Sequence, residues 1–320
     1  MKTYPLHQTG LNVSRIAYGC MNIARSWQGP ITAEDRKYGL TAVQAALESG
    51  INFFDHADIY CGGKSESVFS GVWEEGVARR EDLFVQSKCG IRFPGQPTPS
   101  APHRYDFSYE HITHSVDLIL QRLKTEYLDL LLLHRPDILC EPAEVARAFE
   151  QLHFTGKVRH FGVSNHHPGQ IALLQRATSL PLVANQLELS LLHAPLFDEQ
   201  IVVNRTDPLP VRHEGLLDYC RLHSIMIQAW SPLAQGRLAK PADARAKATA
   251  VAVDALAKEK GVTQESILLA WLLRHPAGIQ PIIGTCNPER IRACAQADKV
   301  ELSREEWWTL YLATRENRIP

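Results

Sequence analysis

Short apolar runs that end in polar residues alternate along this chain with longer amphipathic stretches. The runs are RIAYG, INFF, DLFVQS, YLDLLLL, VRHFGV, LPLVAN, IMIQAW and QPIIG, which begin near residues 15, 51, 82, 127, 158, 180, 225 and 280. Each is short, apolar on both faces and rich in Val, Ile, Leu and Phe, as strands of a buried parallel sheet are. Between the runs the spacing turns helical. Over 115–123, Val116, Ile119, Leu120 and Leu123 fall on one helical face. Ser65 and Glu66 read as a helix opening, Ser108 as an N-cap, and 243–260 as a helix stopped by Gly261.

Eight strand signals alternating with helices predict an α/β fold, a (β/α)8 barrel formed as one domain by residues 1–320. An open doubly wound sheet is the alternative, but no strand runs into a GxGxxG turn. Residues 2–14 read as a hairpin around Thr9 and Gly10 that caps the barrel bottom. Residues 92–107, with four prolines, and residues 191–212 read as long loops. Both would lie on the C-terminal face, where barrel enzymes build their sites, and would set substrate identity.

Composition narrows the partners. Lys and Arg number 34 against 35 Asp and Glu, for a net charge of −1 without like-charge runs. That argues against nucleic acid or an acidic membrane as the main partner. No apolar run approaches the ~18 residues of a membrane span. The opening MKTYPLHQTGLNVSR lacks the apolar stretch of a signal peptide. Seven cysteines, with no CxxC, cannot all pair within one chain. The expectation is a reduced, cytoplasmic protein acting on a small molecule; oligomeric state is not legible.

The strand ends supply the candidate chemistry. They carry Asp55, Lys88, His134, Ser164 with Asn165, Gln186, Ser231 and Thr285, and Tyr60 lies on the loop after Asp55. So many polar strand ends imply one shared pocket. A phenol with a pKa near ~10 is a poor acid at neutral pH, and a neighbouring cation lowers that value. Lys88 is that cation in this reading, Asp55 holds it charged, and His134 orients a carbonyl. A tuned phenol suits carbonyl reduction, in which the alkoxide formed by hydride attack must take up a proton. None of the four residues supplies a hydride, so a nicotinamide is required.

These same segments resemble the aldo-keto reductase family along the whole chain, most closely its bacterial general oxidoreductases. FFDHADIY resembles the family's Asp-x-Ala-x-x-x-Tyr stretch, VQSKCG its catalytic lysine segment and LLLLHRPD its catalytic histidine segment. The resemblance implies a catalytic tetrad of Asp55, Tyr60, Lys88 and His134. GKVRHFGVSN and ANQLELS imply that Ser164, Asn165 and Gln186 hold a nicotinamide carboxamide. QAWSPLAQGRL places Trp230 where the family stacks an aromatic ring on the nicotinamide, and Ser231 and Leu233 at the pyrophosphate. PIIGTCNPERIRAC resembles the adenosine-phosphate loop. It puts Thr285 and Arg290 at the 2′-phosphate and adenine, with Asn287 and Pro288 opening a helix towards the phosphate. Gly284 stands where many members carry Lys. The implied activity is NADPH-dependent reduction of aldehydes and ketones, with NADH use left open.

Other readings remain. His56, Asp58, His134, Asp137, His166 and His167 near the mouth suggest a metal-dependent hydrolase, although alternation points His56 away from the interior. Lys88 could serve as a Schiff-base nucleophile, except that a lysine paired with Asp55 stays charged. A cofactor-sensing subunit that turns over slowly would retain the cofactor segments. Cys61 and Cys89 beside Tyr60 and Lys88 read as small packed thiols, with redox sensitivity as the sharper alternative.

Overall fold

The computed structural model describes residues 1–201 and 214–315; residues 202–212 of the expected 191–212 loop lie outside the described residues, and its first half holds the helix Pro195–Ile201 instead of plain loop. A hairpin opens the chain, with β1 (Thr3–Leu6) antiparallel to β2 (Leu11–Ser14) and its turn at Thr9 and Gly10. Then come β3 (Ala17–Gly19), β4 (Phe53–Asp55), β5 (Phe84–Cys89), β6 (Ile91–Arg92), β7 (Arg104–Tyr105) and β8 (Leu128–Leu133). They are followed by β9 (Val158–Ser164), β10 (Leu182–Glu188), β11 (Met226–Trp230) and β12 (Gln280–Ile283). Eight of these strands close into a barrel in the order β10–β11–β12–β3–β4–β5–β8–β9, all parallel. The closure rules out the open-sheet alternative.

Strand alternation sorts the core. Phe53, Leu130, Leu132, Met226 and Ile282 face the barrel interior and pack with Leu6 and Val13 of the hairpin, which therefore plugs the bottom. Phe54, Val85, Leu131 and Leu133, one residue out of step, join the larger cluster between strands and helices. Residues two apart share a face, so Gln86 and Lys88 both point inward, as do Gln228 and Trp230. The interior is consequently not wholly apolar. Gln86, Gln228 and Gln280 are fully buried in it.

Most helix signals correspond to real caps. Ser108 Oγ accepts from His111 N, opening the helix Tyr109–Leu123 whose Val116, Ile119, Leu120 and Leu123 are buried. Asp243 caps Ala244–Lys260, and Gly261 ends it at φ +65°, a conformation glycine adopts without steric cost. Ser65 and Glu66 lie in the first turn of a helix, as expected. The helix Lys64–Phe69 starts after Gly63, with no side-chain cap, and both residues lie buried inside it. Ser65 Oγ donates to Met21 O at 3.0 Å, while Glu66 accepts from Ser87 Oγ at 2.7 Å and Arg122 Nε at 2.6 Å. Their polarity serves long-range partners instead of the helix end.

The 92–107 segment is also more ordered than a plain loop. β6 pairs antiparallel with β7, and Asp137 accepts from Phe107 N and from Leu139 N, each at 2.9 Å. This ties the segment to the turn after β8, beside the barrel mouth. Among the described residues no helix is long and apolar enough to cross a membrane.

Candidate active site

Asp55 ends β4, Lys88 lies in β5, His134 follows β8, and Tyr60 sits on the turn after β4. That turn runs through three left-handed residues, Cys61 at φ +50°, Gly62 at +65° and Gly63 at +86°. Such a bend swings the chain back over the barrel mouth and brings the Tyr60 ring above Lys88. The Lys88 ammonium, fully buried, donates to Asp55 Oδ2 at 2.8 Å, His56 O at 2.7 Å and Tyr60 Oη at 2.9 Å. An ammonium carries three donors and no acceptor, so all three are used. The Tyr60 oxygen must therefore accept from Lys88, which leaves the phenol's own proton free for another partner.

The electrostatics keep each group in one state. Burial works against the Lys88 charge, but Asp55 and Tyr60 outweigh it and raise its pKa. Burial pushes the Tyr60 phenol above its ordinary value, with Lys88 pulling the other way. A net lowering by the cation is expected from sequence; here desolvation wins and the phenol holds its proton throughout the neutral range. Burial first, then the charges of Lys88 and Arg135, hold His134 well below the ordinary histidine value, so its ring is neutral. It meets the Tyr60 ring edge-on at 6.2 Å between centroids.

Asp55 is held from several sides. Besides Lys88, it accepts from Gln86 Nε2 and, at 2.9 Å, from Gln186 Nε2. Gln186 also donates to Gln228 Oε1 at 3.2 Å, Gln228 to Gln280 Oε1 at 2.9 Å, and Gln280 to Ser14 O at 2.7 Å. A line of amides thus runs from the carboxylate down to the hairpin.

The remaining candidates line one cavity of about 720 Å³ with Asp55, Tyr60 and His134: Ser164, Asn165, Gln186, Trp230, Ser231, Leu233, Gly284, Thr285 and Arg290. Ser164 Oγ donates to Gln186 O at 2.9 Å. Asn165, at φ +62°, donates to His134 O and accepts from Trp230 Nε1, both at 3.3 Å. Ser231, Ala234 and Gln235 are non-glycine residues with φ of +51°, +50° and +55°. Such crowding of left-handed backbone marks a turn held for a purpose. Asn287 Oδ1 accepts from Glu289 N and Arg290 N and opens the helix Pro288–Ala295. Asn287 itself does not line the cavity; Thr285 and Arg290 on either side of it do.

A model described as the aldo/keto reductase family matches residues 15–311. The chain belongs to the aldo/keto reductase family. It is an oxidoreductase. It is 38% identical to a 6-dehydroglucose reductase of Novosphingobium aromaticivorans over 98% of this chain and 96% of that protein. A 6-dehydroglucose reductase of Agrobacterium fabrum is 36% identical over 94% of each chain. The glycerol dehydrogenase structure from Gluconobacter oxydans superposes with a TM-score of 0.82 at 23% identity, covering 99% of this chain and 97% of that one, and shows the shared barrel.

In this reductase the other histidines have local tasks. His56 is buried behind the barrel, edge-on to Phe69 at 4.6 Å between ring centroids. His166 stacks on Phe107, and His167 caps the helix Pro168–Ala177. Among the described residues no three His, Cys, Asp or Glu converge as a metal site. The Schiff-base reading fails on the full engagement of Lys88. Cys89 is buried and its thiol pushed well up, which opposes thiolate formation; Cys61 Sγ contacts Met21 O at 3.2 Å.

Sequence reading passed over several residues of the cavity. Met21, Asn22 and Trp27 come from the loop after β3, Ile59 and Arg135 from the segments after β4 and β8, and Ile91 from β6, which follows β5. The available signal was position alone: every loop that follows a barrel strand opens on this face.

Proposed function

We propose that this reductase uses NADPH to reduce aldehydes and ketones to alcohols, with Tyr60 as the proton donor. The observation that carries the reading is the Lys88 contact set, which forces Tyr60 Oη to accept and leaves its proton unspent. A bound nicotinamide would supply the hydride to the carbonyl carbon. His134, neutral, would hold the carbonyl oxygen by an N–H, and Tyr60 would give that oxygen its proton while Lys88 stabilises the phenolate left behind.

The residues present fit a dinucleotide. Gln186 spends its Nε2 on Asp55 and Gln228, so its Oε1 remains as an acceptor for a carboxamide N–H. Trp230 is tethered by Asn165 with its ring half-buried in the cavity, in place to stack. The turn 231–235, with left-handed Ser231, Ala234 and Gln235, would offer backbone N–H groups to a pyrophosphate. A Cβ on Gly284 would meet nothing within 4 Å, so the groove wall there is open. Arg290, whose Nε lies 3.2 Å from Glu265 Oε1, is the cation beside Thr285 for a 2′-phosphate. With Gly284 in place of a lysine, preference for NADPH over NADH rests on that guanidinium. The proposal includes one barrel domain over the whole chain, working in the cytoplasm on small carbonyl compounds.

The test is NADPH oxidation followed at the nicotinamide absorbance against a panel of aldehydes and ketones, with a hexose 6-aldehyde first because of the relatives. Turnover that survives a chelator is the expected result. No oxidation with any carbonyl, despite tight cofactor binding, would favour the sensor reading.

A further inference from the structure

Arg135 carries a charge that the proposed chemistry leaves unused. It directly follows His134 at the end of β8, is half-buried, and lines the same cavity as Tyr60 and His134. It also lines a neighbouring cavity of about 500 Å³ with His166, His167 and Glu188. Its guanidinium lies 5.6 Å from the centre of the Trp230 ring. The other charged groups of the main cavity are matched, Asp55 by Lys88 and Arg290 by Glu265. Among the described residues Arg135 has no carboxylate within ion-pair distance, Glu188 included.

A guanidinium cannot discharge by losing its proton at any ordinary pH. Held partly out of water without a counter-ion, it is an unfavourable arrangement that a bound anion relieves. Its planar fork matches a carboxylate or phosphate with two parallel N–H bonds. Topology separates it from the cofactor's phosphates. In the closed barrel β8 stands four strands from β12 in either direction, hence directly across from the Thr285–Arg290 end of the groove. The cavity lining also includes the apolar side chains of Trp27, Ile59 and Ile91.

We infer that Arg135 determines specificity by binding an oxyanion, carboxylate or phosphate, carried by the carbonyl substrate. This rests on the reductase reading above, since it assumes that the carbonyl lies between Tyr60 and His134. A neutral carbonyl substrate leaves the guanidinium unmatched and binds less well.

The experiment compares matched substrates in the wild-type enzyme with NADPH: succinic semialdehyde against butanal, and glyceraldehyde 3-phosphate against glyceraldehyde. The expected result is a kcat/KM higher by about ten- to a hundredfold for the charged member of at least one pair, expressed mainly in KM. The pair that shows it tells carboxylate from phosphate. In Arg135→Leu the ratio should collapse towards one, and in Arg135→Glu it should invert. NADP+ affinity by calorimetry should be retained in Arg135→Leu. Equal or better turnover of the neutral members, a neutral hexose 6-aldehyde included, overturns the inference without touching the reductase reading. Loss of NADP+ affinity in Arg135→Leu also overturns it, by making Arg135 a cofactor ligand. Absence of turnover with every carbonyl takes down both.

Discussion

At the scale of single residues, the informative atom is Lys88 Nζ. It is one cation serving a carboxylate, a backbone carbonyl and a phenol, so removing it has two separable effects. Lys88→Met withdraws the group that stabilises the phenolate and leaves Asp55 with amide donors only. Tyr60→Phe keeps the ring and removes only the proton. General acid catalysis is worth about a hundred- to ten-thousandfold, so each variant should lose carbonyl reduction on that scale, with the double variant little worse than either single. Steady-state kinetics on a good aldehyde measures this, and near-normal turnover by Tyr60→Phe would sink the mechanism. The pH dependence follows from the sign of the Tyr60 shift. A raised phenol pKa keeps the acid protonated through neutrality, so reduction should stay level there and fall only above the ordinary tyrosine value of 10.0. A fall between pH 6 and 8 that vanishes in Tyr60→Phe would contradict the burial argument.

At the scale of elements, the strands were readable because a buried parallel strand is an unbroken apolar run, and every barrel strand starts within about two residues of its expected position. The convergence of Asp55, Lys88 and His134 with Tyr60 was readable because polar residues at the ends of such runs contradict the apolar pattern around them. The β6–β7 pair was not readable, since two-residue strands carry no periodicity. Ser65 and Glu66 marked a helix start but not their buried partners, because a helix-opening pattern and a buried polar contact use the same residue types. The helix Pro288–Ala295, proposed to face the cofactor's adenosine end, makes a testable case. Its Asn287 cap fixes the first turn, and from that turn Arg290 reaches the cavity. A charge-assisted bond contributes about 1.5–3 kcal/mol, so Arg290→Ala should weaken NADPH binding about ten- to a hundredfold. NADH binding should barely move, because NADH lacks the 2′-phosphate. Equal losses for both cofactors in a fluorescence titration would remove Arg290 from that role.

At the scale of the whole molecule, buried ionisable groups shape stability against pH. Burial drops His56 to about 3 and His111, His166 and His275 to about 4. Between those values and the ordinary 6.5 the unfolded chain binds more protons, so stability rises with pH across that window. Asp58 acts in the opposite sense. Burial, with repulsion from Glu66, pushes it up to about 8 from 3.8, so the folded chain binds the extra proton and its contribution falls as pH rises through that range. With several histidines against one aspartate, denaturant midpoints should climb from pH 4 to about 6.5 and then decline towards 8. Asp58→Asn should flatten the decline; a decline of unchanged slope would reject the assignment. The amide line through the barrel has a different consequence, one of redundancy. Asp55 is served in parallel by Lys88, Gln86 and Gln186, so no single amide loss strips it bare. Below Gln186 the amide links among the described residues to Gln228, Gln280 and Ser14 run in series. Tolerance to the loss of one amide is therefore greatest around Asp55 and thinnest where the barrel closes on its hairpin.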